Sequence, residues 1–260
     1  MDAITTSGES AVTPAMTMRG EWSRFLGFLR RPVLPTRAPL PQVAGLIAVL
    51  RLFALDLLVM SGLLAIAGIV IATGVDMPQT ALAGMDIGPG IVLAVVVLAP
   101  LAEEIAFRGW LSGRPGHLLA LVALVGGGVS ATLLLSAAGF SYGADALETG
   151  LAAMALGTLG GALLALVALY LLRRHGAIGW FQRCFPLFFW ASTLAFSLVH
   201  LFNFPADQMA TALPLVLPQL VTGTMLGYLR VHYGLWASIM LHALHNGAFI
   251  SLVLLASSGA

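Results

Sequence analysis

Long apolar stretches dominate this chain and limit the folds that it can adopt. Each is long enough to cross the ~30 Å hydrocarbon core of a bilayer as a helix, and of 260 residues 59% are hydrophobic and 9% charged. Because backbone in lipid must satisfy its own polar groups, the stretches predict an all-α, polytopic transmembrane helical bundle. We predict about seven spans, at residues 47–72, 90–111, 118–138, 151–172, 187–204, 213–229 and 235–255.

The arginines predict the orientation of this bundle. They precede the first span, follow the second, separate the fourth from the fifth and end the sixth, whereas the other loops carry only acids. Short loops rich in arginine tend to stay in the cytosol. We therefore predict a cytosolic N-terminus and an external C-terminus. The cytosolic arginines would include Arg114, Arg173, Arg174, Arg183 and Arg230, and the external acids Asp76, Asp86, Asp145, Glu148 and Asp207.

Residues 1–42 predict a cytosolic leader, and residues 43–260 a transmembrane domain. The leader is polar and lacks the apolar run and cleavage site of a secretory signal. Its GEWSRFLGFLRRP segment interleaves large apolar residues with arginines. This pattern is typical of an amphipathic helix at a membrane surface. Docking of the segment onto a partner is the alternative.

Three ionisable residues lie close together in the second span, where charge is costly and is kept mainly for function. Glu104 and Arg108 are four residues apart, the favourable order for an ion pair on one helical face. That pair would leave Glu103, about 100° around the helix, facing elsewhere. Glu103 is therefore the candidate for chemistry, with Glu104 sharing that role as the alternative.

Two later spans repeat the spacing of four with other polar residues. Phe196 and His200 lie in the fifth span, and His242 and Asn246 lie in the seventh. A buried histidine is usually a hydrogen-bonded core residue, but an acid, two imidazoles and an amide together could activate a water and stabilise an oxyanion. His245 is a weaker candidate near the same site.

Other spacings predict structure rather than chemistry. Arg51 and Asp56 share the first span and could pair with each other, or Arg51 could reach the cytosolic interface. Glycines four residues apart allow close helix contact. Such pairs occur at Gly157 and Gly161 and at Gly223 and Gly227.

The polar motifs resemble those of a known family. EEIAFRG fits EExxxR, FSLVH fits FxxxH and HALHN fits HxxxN. The chain is similar in these motifs to the CAAX-protease and bacteriocin-processing family, also called the Abi family, whose intramembrane endopeptidases include the type II CAAX prenyl endopeptidases. The resemblance covers roughly residues 90–250. It departs from the family pattern by two extra spans, which predict an insertion at 118–172 between the first two motifs.

The resemblance implies a metal-independent peptide hydrolase without a cofactor, whose catalytic residues are Glu103, His200, His242 and Asn246. Glu103 would be the general base for a water that it holds jointly with His200. His242 and Asn246 would donate hydrogen bonds to the oxyanion.

The same motifs imply three supporting residues. Arg108, paired with Glu104, would hold the acidic helix in register. Phe196 would pack beneath His200.

Three other functions remain open from the sequence. Glu103, His200, His242 and possibly a fourth ligand, His245, could bind zinc, although the chain contains no HExxH. The polar cluster could instead be the structural network of a membrane scaffold or bacteriocin-immunity factor. A proton-coupled transporter also uses acids and histidines inside the membrane.

The setting predicted for the protein is a bacterial inner membrane. The expected partners are the bilayer and a membrane-associated peptide or protein substrate, with no nucleic acid. The sequence fixes neither the substrate, nor its prenylation, nor an oligomeric state.

Overall fold

The computed structural model describes residues 15–35, 43–80, 87–137 and 147–258. Every regular element in these ranges is a helix. Within the described ranges, five helices are long and apolar enough to cross a membrane: Val43–Ala72, Pro89–Ser112, Phe185–Asn203, Ala206–Tyr233 and Leu235–Ala256. Shorter apolar helices lie at Pro115–Ala131 and Leu159–Leu171. The predicted helical membrane fold is confirmed, whereas the count of seven spans and the orientation stay predictions.

The described chain forms two compact units, of which the first contains the residues up to Leu111 together with those from Cys184 onward. Its helices are α1 (Met18–Arg30), α2 (Val43–Ala72), α3 (Pro89–Leu93), α4 (Ala99–Arg108), α8 (Phe185–Val199), α9 (Met209–Ala212), α10 (Leu217–Tyr233) and α11 (Leu235–Ser258). A π-helix, Ala94–Leu98, joins α3 to α4. Short 3-10 segments lie at Gly109–Ser112, His200–Asn203, Ala206–Gln208 and Leu213–Val216.

The second unit, Ser112–Arg183, contains the residues predicted as an insertion. Its helices are α5 (Pro115–Ala137), α6 (Leu147–Leu171) and α7 (Gly179–Arg183). α5 and α6 run antiparallel, because Gly116 faces Ala168 whereas Gly127 faces Gly161. A Cβ at Gly127 or Gly161 would overlap the backbone of the facing helix. Here glycine permits close helix packing.

α10 forms the centre of the first unit. Its residues from Thr222 to Val231 are all buried. A Cβ added at Gly227 would lie 2.6 Å from the Phe189 ring of α8, and one at Gly223 would lie 3.1 Å from Phe196. The close contact predicted at these glycines is therefore confirmed.

α1 packs against this unit through a buried carboxylate and two aromatic rings. Phe25, Phe28 and Glu21 are buried. Glu21 Oε1 accepts hydrogen bonds from the hydroxyls of Tyr228, at 2.6 Å, and Tyr233, at 2.8 Å. Part of the apolar face predicted for this segment is thus covered by the protein's own helices, and its contact with a membrane surface stays a prediction.

The possible ion pair between Arg51 and Asp56 is not formed, because each side chain has other partners. The Arg51 guanidinium donates to the carbonyl oxygens of Ala15, at 2.5 Å, and Met16, at 2.9 Å. Asp56 is fully buried and has its partners on α10 and α11 instead. Both residues connect α2 to other parts of the first unit, as expected of residues with a structural role.

Candidate active site

Glu103 lies on α4 between two imidazoles from other elements. Its Oε2 atom is 3.9 Å from His200 Nε2 and 3.7 Å from His242 Nε2. The Glu103 side chain is 30% exposed, yet Oε2 itself is buried and has no hydrogen-bond partner among the described residues. A carboxylate oxygen with unused lone pairs is therefore placed beside two ring nitrogens.

His200 occupies the point where α8 ends and the following 3-10 segment begins. Its Nδ1 atom is 2.7 Å from the carbonyl oxygen of Phe196. Because a carbonyl only accepts hydrogen bonds, Nδ1 carries a proton. In the neutral form of the ring, Nε2 then faces Glu103 with a lone pair. The Phe196 ring packs edge-on against the imidazole with a centroid distance of 4.8 Å, as predicted.

Glu104 is fully buried and accepts three hydrogen bonds. The predicted ion pair is present, because Arg108 Nη1 lies 2.9 Å from Glu104 Oε1. His242 Nδ1 also lies 2.9 Å from Oε1, and Ser238 Oγ donates to Oε2. The carboxylate thus joins α4 to α11 and holds the imidazole of His242 in place.

Arg108 combines this ion pair with an aromatic contact. Its guanidinium carbon lies 3.7 Å from the centroid of the Phe196 ring, the geometry of a cation–π interaction. The side chain is fully buried, and its Nε and Nη2 atoms have no hydrogen-bond partner among the described residues. Glu104 and Phe196 therefore supply the observed stabilisation of this buried cation.

The end of α4 is held by an arginine from α10. Arg230 Nε donates to the carbonyl oxygen of Arg108 and its Nη2 to that of Gly109, both at 2.8 Å. A cation at the carboxyl end of a helix also interacts favourably with the helix dipole. From the sequence, Arg230 was predicted only to mark the cytosolic side of the membrane, and this contact was not predicted.

The bond to Glu104 determines which tautomer of His242 is present. A carboxylate only accepts, so His242 Nδ1 carries a proton. Nε2, which faces Glu103, can then donate a hydrogen bond only when the ring is a doubly protonated imidazolium. The role of an oxyanion donor consequently requires the charged form of His242.

Asn246 contacts a different part of the second span. It lies one turn beyond His242 on α11, and its Nδ2 atom donates to the carbonyl oxygen of Val95 at 2.8 Å. The structure therefore gathers Glu103, Glu104, His200 and His242 into one network, with Asn246 tied to the π-helix beside it.

His245 faces away from this network. Its Nδ1 atom is 2.7 Å from Asp56 Oδ2, and Thr222 Oγ1 donates to Asp56 Oδ1 at 2.9 Å. This cluster connects α2, α10 and α11. Among the described residues, no group of three or more His, Cys, Asp and Glu side chains has the arrangement of metal ligands.

Ser238 belongs to this network but was not predicted from the sequence. It precedes His242 by four residues, so both face α4 from one side of α11. This spacing was available in the sequence. Serine is common at helix contacts within membranes, however, and no motif in the sequence indicated that Ser238 would donate a hydrogen bond to Glu104.

The helices and this network define a class of protein. It is a helical membrane protein with a partly buried carboxylate–imidazole centre supplied by three separate helices.

Comparison with known families identifies the particular group. The family model described as type II CAAX prenyl endopeptidase Rce1-like matches residues 88–248, more than half of the chain. The protein therefore belongs to this family, and the resemblance drawn from the three motifs is confirmed. Membership implies a CAAX-type intramembrane protease that acts on a peptide substrate. The chain has no significant match among curated proteins or solved structures.

Proposed function

We propose that the protein is an intramembrane endopeptidase in which Glu103 activates water without a metal. The observation that carries this proposal is the position of Glu103 Oε2, 3.9 Å from His200 Nε2 and 3.7 Å from His242 Nε2. The substrate would be a membrane-associated peptide or protein that reaches the site from the cytosolic side or laterally from the bilayer.

Two acceptors are available for the two hydrogens of one water molecule. Glu103 supplies a carboxylate oxygen, and neutral His200 supplies its Nε2 lone pair, because its Nδ1–H is held by Phe196 O. A water held by both turns an oxygen lone pair towards the substrate carbonyl. Its oxygen forms the new C–O bond while Glu103 accepts the proton, as a general base does.

The negative charge then moves from Glu103 to the substrate oxygen. His242, as an imidazolium anchored on Glu104, donates its Nε2–H to this oxyanion, and Asn246 donates an amide hydrogen. Glu103 returns the proton to the leaving nitrogen as the C–N bond breaks. The products are a carboxylic acid and an amine.

The proposed protonation states leave the charges of the network in balance. With both glutamates ionised and His242 doubly protonated, Arg108 and His242 balance Glu103 and Glu104. A balanced set is favourable where water is scarce, because isolated charges are costly there. Proton transfer to Glu103 and oxyanion formation preserve the balance, since one negative charge replaces another.

The proposal is tested with purified full-length protein and an internally quenched, farnesylated CAAX peptide. Glu103→Gln keeps the shape of the side chain but removes the base, so we expect kcat to fall about 10²–10⁴-fold. Asp76→Asn makes the same chemical change at an exposed loop residue and should retain wild-type kcat. The activity should also survive exhaustive chelation.

Two outcomes would overturn this assignment. Wild-type cleavage by Glu103→Gln would exclude Glu103 as the base and favour a structural network. Loss of activity on chelation with recovery on added Zn²⁺ would establish the zinc alternative. If the peptide is not cleaved by any form, quantitative proteomics of membranes should show a fragment that depends on Glu103, and its absence would count against a protease.

A further inference from the structure

The second predicted span contains a π-helix that leaves one carbonyl without its usual donors. At the end of Ala94–Leu98, the N–H of Ala99 bonds to Ala94 O, five residues back. In an α-helix the Ala99 N–H would bond to Val95 O, and in a longer π-helix the N–H of residue 100 would do so. Residue 100 is proline, which has no N–H. Val95 O therefore accepts a hydrogen bond from neither of these backbone positions.

The side chain of Asn246 takes their place. Its Nδ2 atom donates to Val95 O at 2.8 Å across the contact between α11 and the π-helix. An unsatisfied carbonyl is costly inside a membrane protein, so this bond favours one orientation of the amide. The carbonyl only accepts, which places Nδ2 rather than Oδ1 towards Val95. Since Nδ2 has two hydrogens, the second remains for another acceptor.

We propose that Pro100 is a positioning residue for Asn246. Because Pro100 has no backbone N–H to donate to Val95 O, this carbonyl stays available to the Asn246 amide. The bond orients the amide so that its second hydrogen can be donated to an oxyanion. This inference rests on the proposed function, in which Asn246 is an oxyanion donor. Pro100 is buried at the start of α4 and acts through Asn246.

The amide itself gives a readout that needs no substrate. The chain contains two asparagines, Asn203 and Asn246, so [15N]asparagine labelling gives the NMR signals of two side-chain NH2 groups. The Asn203→Ala variant loses one set of signals and so shows which set belongs to Asn246. Asn203 is exposed and serves as the reference. A hydrogen-bonded amide proton changes its NMR chemical shift less with temperature than a free one. We therefore expect the chemical shift of one Asn246 amide proton in the wild-type protein to depend less on temperature than the shifts of the Asn203 amide protons. Pro100→Ala, whose new N–H competes for Val95 O, should reduce this difference.

Kinetics separate positioning from general stability. With the farnesylated peptide, Pro100→Ala should lower kcat about tenfold with KM within about twofold, because small misplacement of a catalytic group can cost up to ~10² in rate. The matched control is Pro89→Ala in the same span. Pro89 is exposed at the start of α3, where a backbone N–H has no helical partner in any case, so kcat should not change.

A double-mutant cycle tests whether Pro100 acts through Asn246. Asn246→Ala should lower kcat about 10²-fold, and Pro100→Ala with Asn246→Ala should be no slower than Asn246→Ala alone. Additive losses, or wild-type kcat in Pro100→Ala, would overturn the role of Pro100 and leave the proposed function intact. Wild-type kcat in Asn246→Ala would instead exclude Asn246 as an oxyanion donor.

One measurement holds even if Pro100→Ala fails to fold. If the chemical shifts of both Asn246 amide protons in the wild-type protein depend on temperature as strongly as those of exposed Asn203, the hydrogen bond to Val95 O is absent. That result alone would make the positioning proposal wrong.

Discussion

Glu103 and Glu104 are neighbours in the chain but have different surroundings. Glu104 is fully buried and accepts hydrogen bonds from Arg108, His242 and Ser238. Glu103 is 30% exposed, and its buried Oε2 has no such partner among the described residues. A rotation of about 100° between consecutive helical positions suffices to separate them. We therefore expect substitutions of the two residues to have different consequences.

Glu104→Gln should reduce the stability of the protein. It removes the carboxylate that balances the fully buried guanidinium of Arg108, and breaking a buried pair by removing one partner costs about 3–5 kcal/mol. Glu103→Gln leaves that pair intact, so its free energy of unfolding should change by less than ~1 kcal/mol. Reversible chemical denaturation in detergent micelles measures both.

Each variant is the matched control for the other, since the same atoms change at adjacent positions. Equal losses of stability would show that the two carboxylates form one structural unit. A stable Glu104→Gln protein would show that Arg108 does not depend on this carboxylate.

The helical elements were largely predictable from the sequence because apolar stretches of this length have few alternatives in lipid. The pair of Glu104 and Arg108 followed from helical spacing alone. Spacing does not reveal which helices face each other. The convergence of His200 and His242 on Glu103 therefore depended on the resemblance rather than on the chain's own pattern.

The possible ion pair of Arg51 with Asp56, which is not formed, shows the same limit. Both residues lie on α2, so their spacing allowed a pair within one helix, whereas their partners lie on other elements. The π-helix was also missed. A proline such as Pro100 predicts a disturbance of the helix, but the side chain that compensates for it, Asn246, follows 146 residues later.

The contact between α8 and α10 allows a direct test of packing. A Cβ at Gly227 would lie 2.6 Å from the ring of Phe189, which is fully buried. Gly227→Ala should therefore force the ring or the helix to move and lower the free energy of unfolding by about 1–3 kcal/mol. Unfolding in detergent with increasing denaturant measures this loss.

Gly68→Ala on α2 is the control for this substitution. A Cβ at Gly68 would meet nothing within 4 Å, and alanine is the better helix former, so stability should not fall. Equal free energies of unfolding for the Gly227→Ala protein and the wild type would show that α8 and α10 can move apart without loss of stability.

At the scale of the whole molecule, the arginines and the network at Glu103 concern different properties: the orientation in the membrane and the packing of the helices. The arginines predict which ends of the helices face the cytosol. The network at Glu103 requires that α4, α8 and α11 meet inside the first unit, whichever way that unit is inserted. The orientation therefore needs its own experiment.

The single cysteine of the chain provides that experiment. Cys184 is exposed between α7 and α8, in a connection that the neighbouring Arg183 predicts to be cytosolic. A membrane-impermeant maleimide should therefore label the wild-type protein in inside-out vesicles and leave it unlabelled in right-side-out vesicles. Asp76→Cys combined with Cys184→Ser moves the thiol to an exposed residue of the predicted external loop and should reverse this result. Labelling of Cys184 from outside would mean that the distribution of arginines does not determine how this protein is inserted.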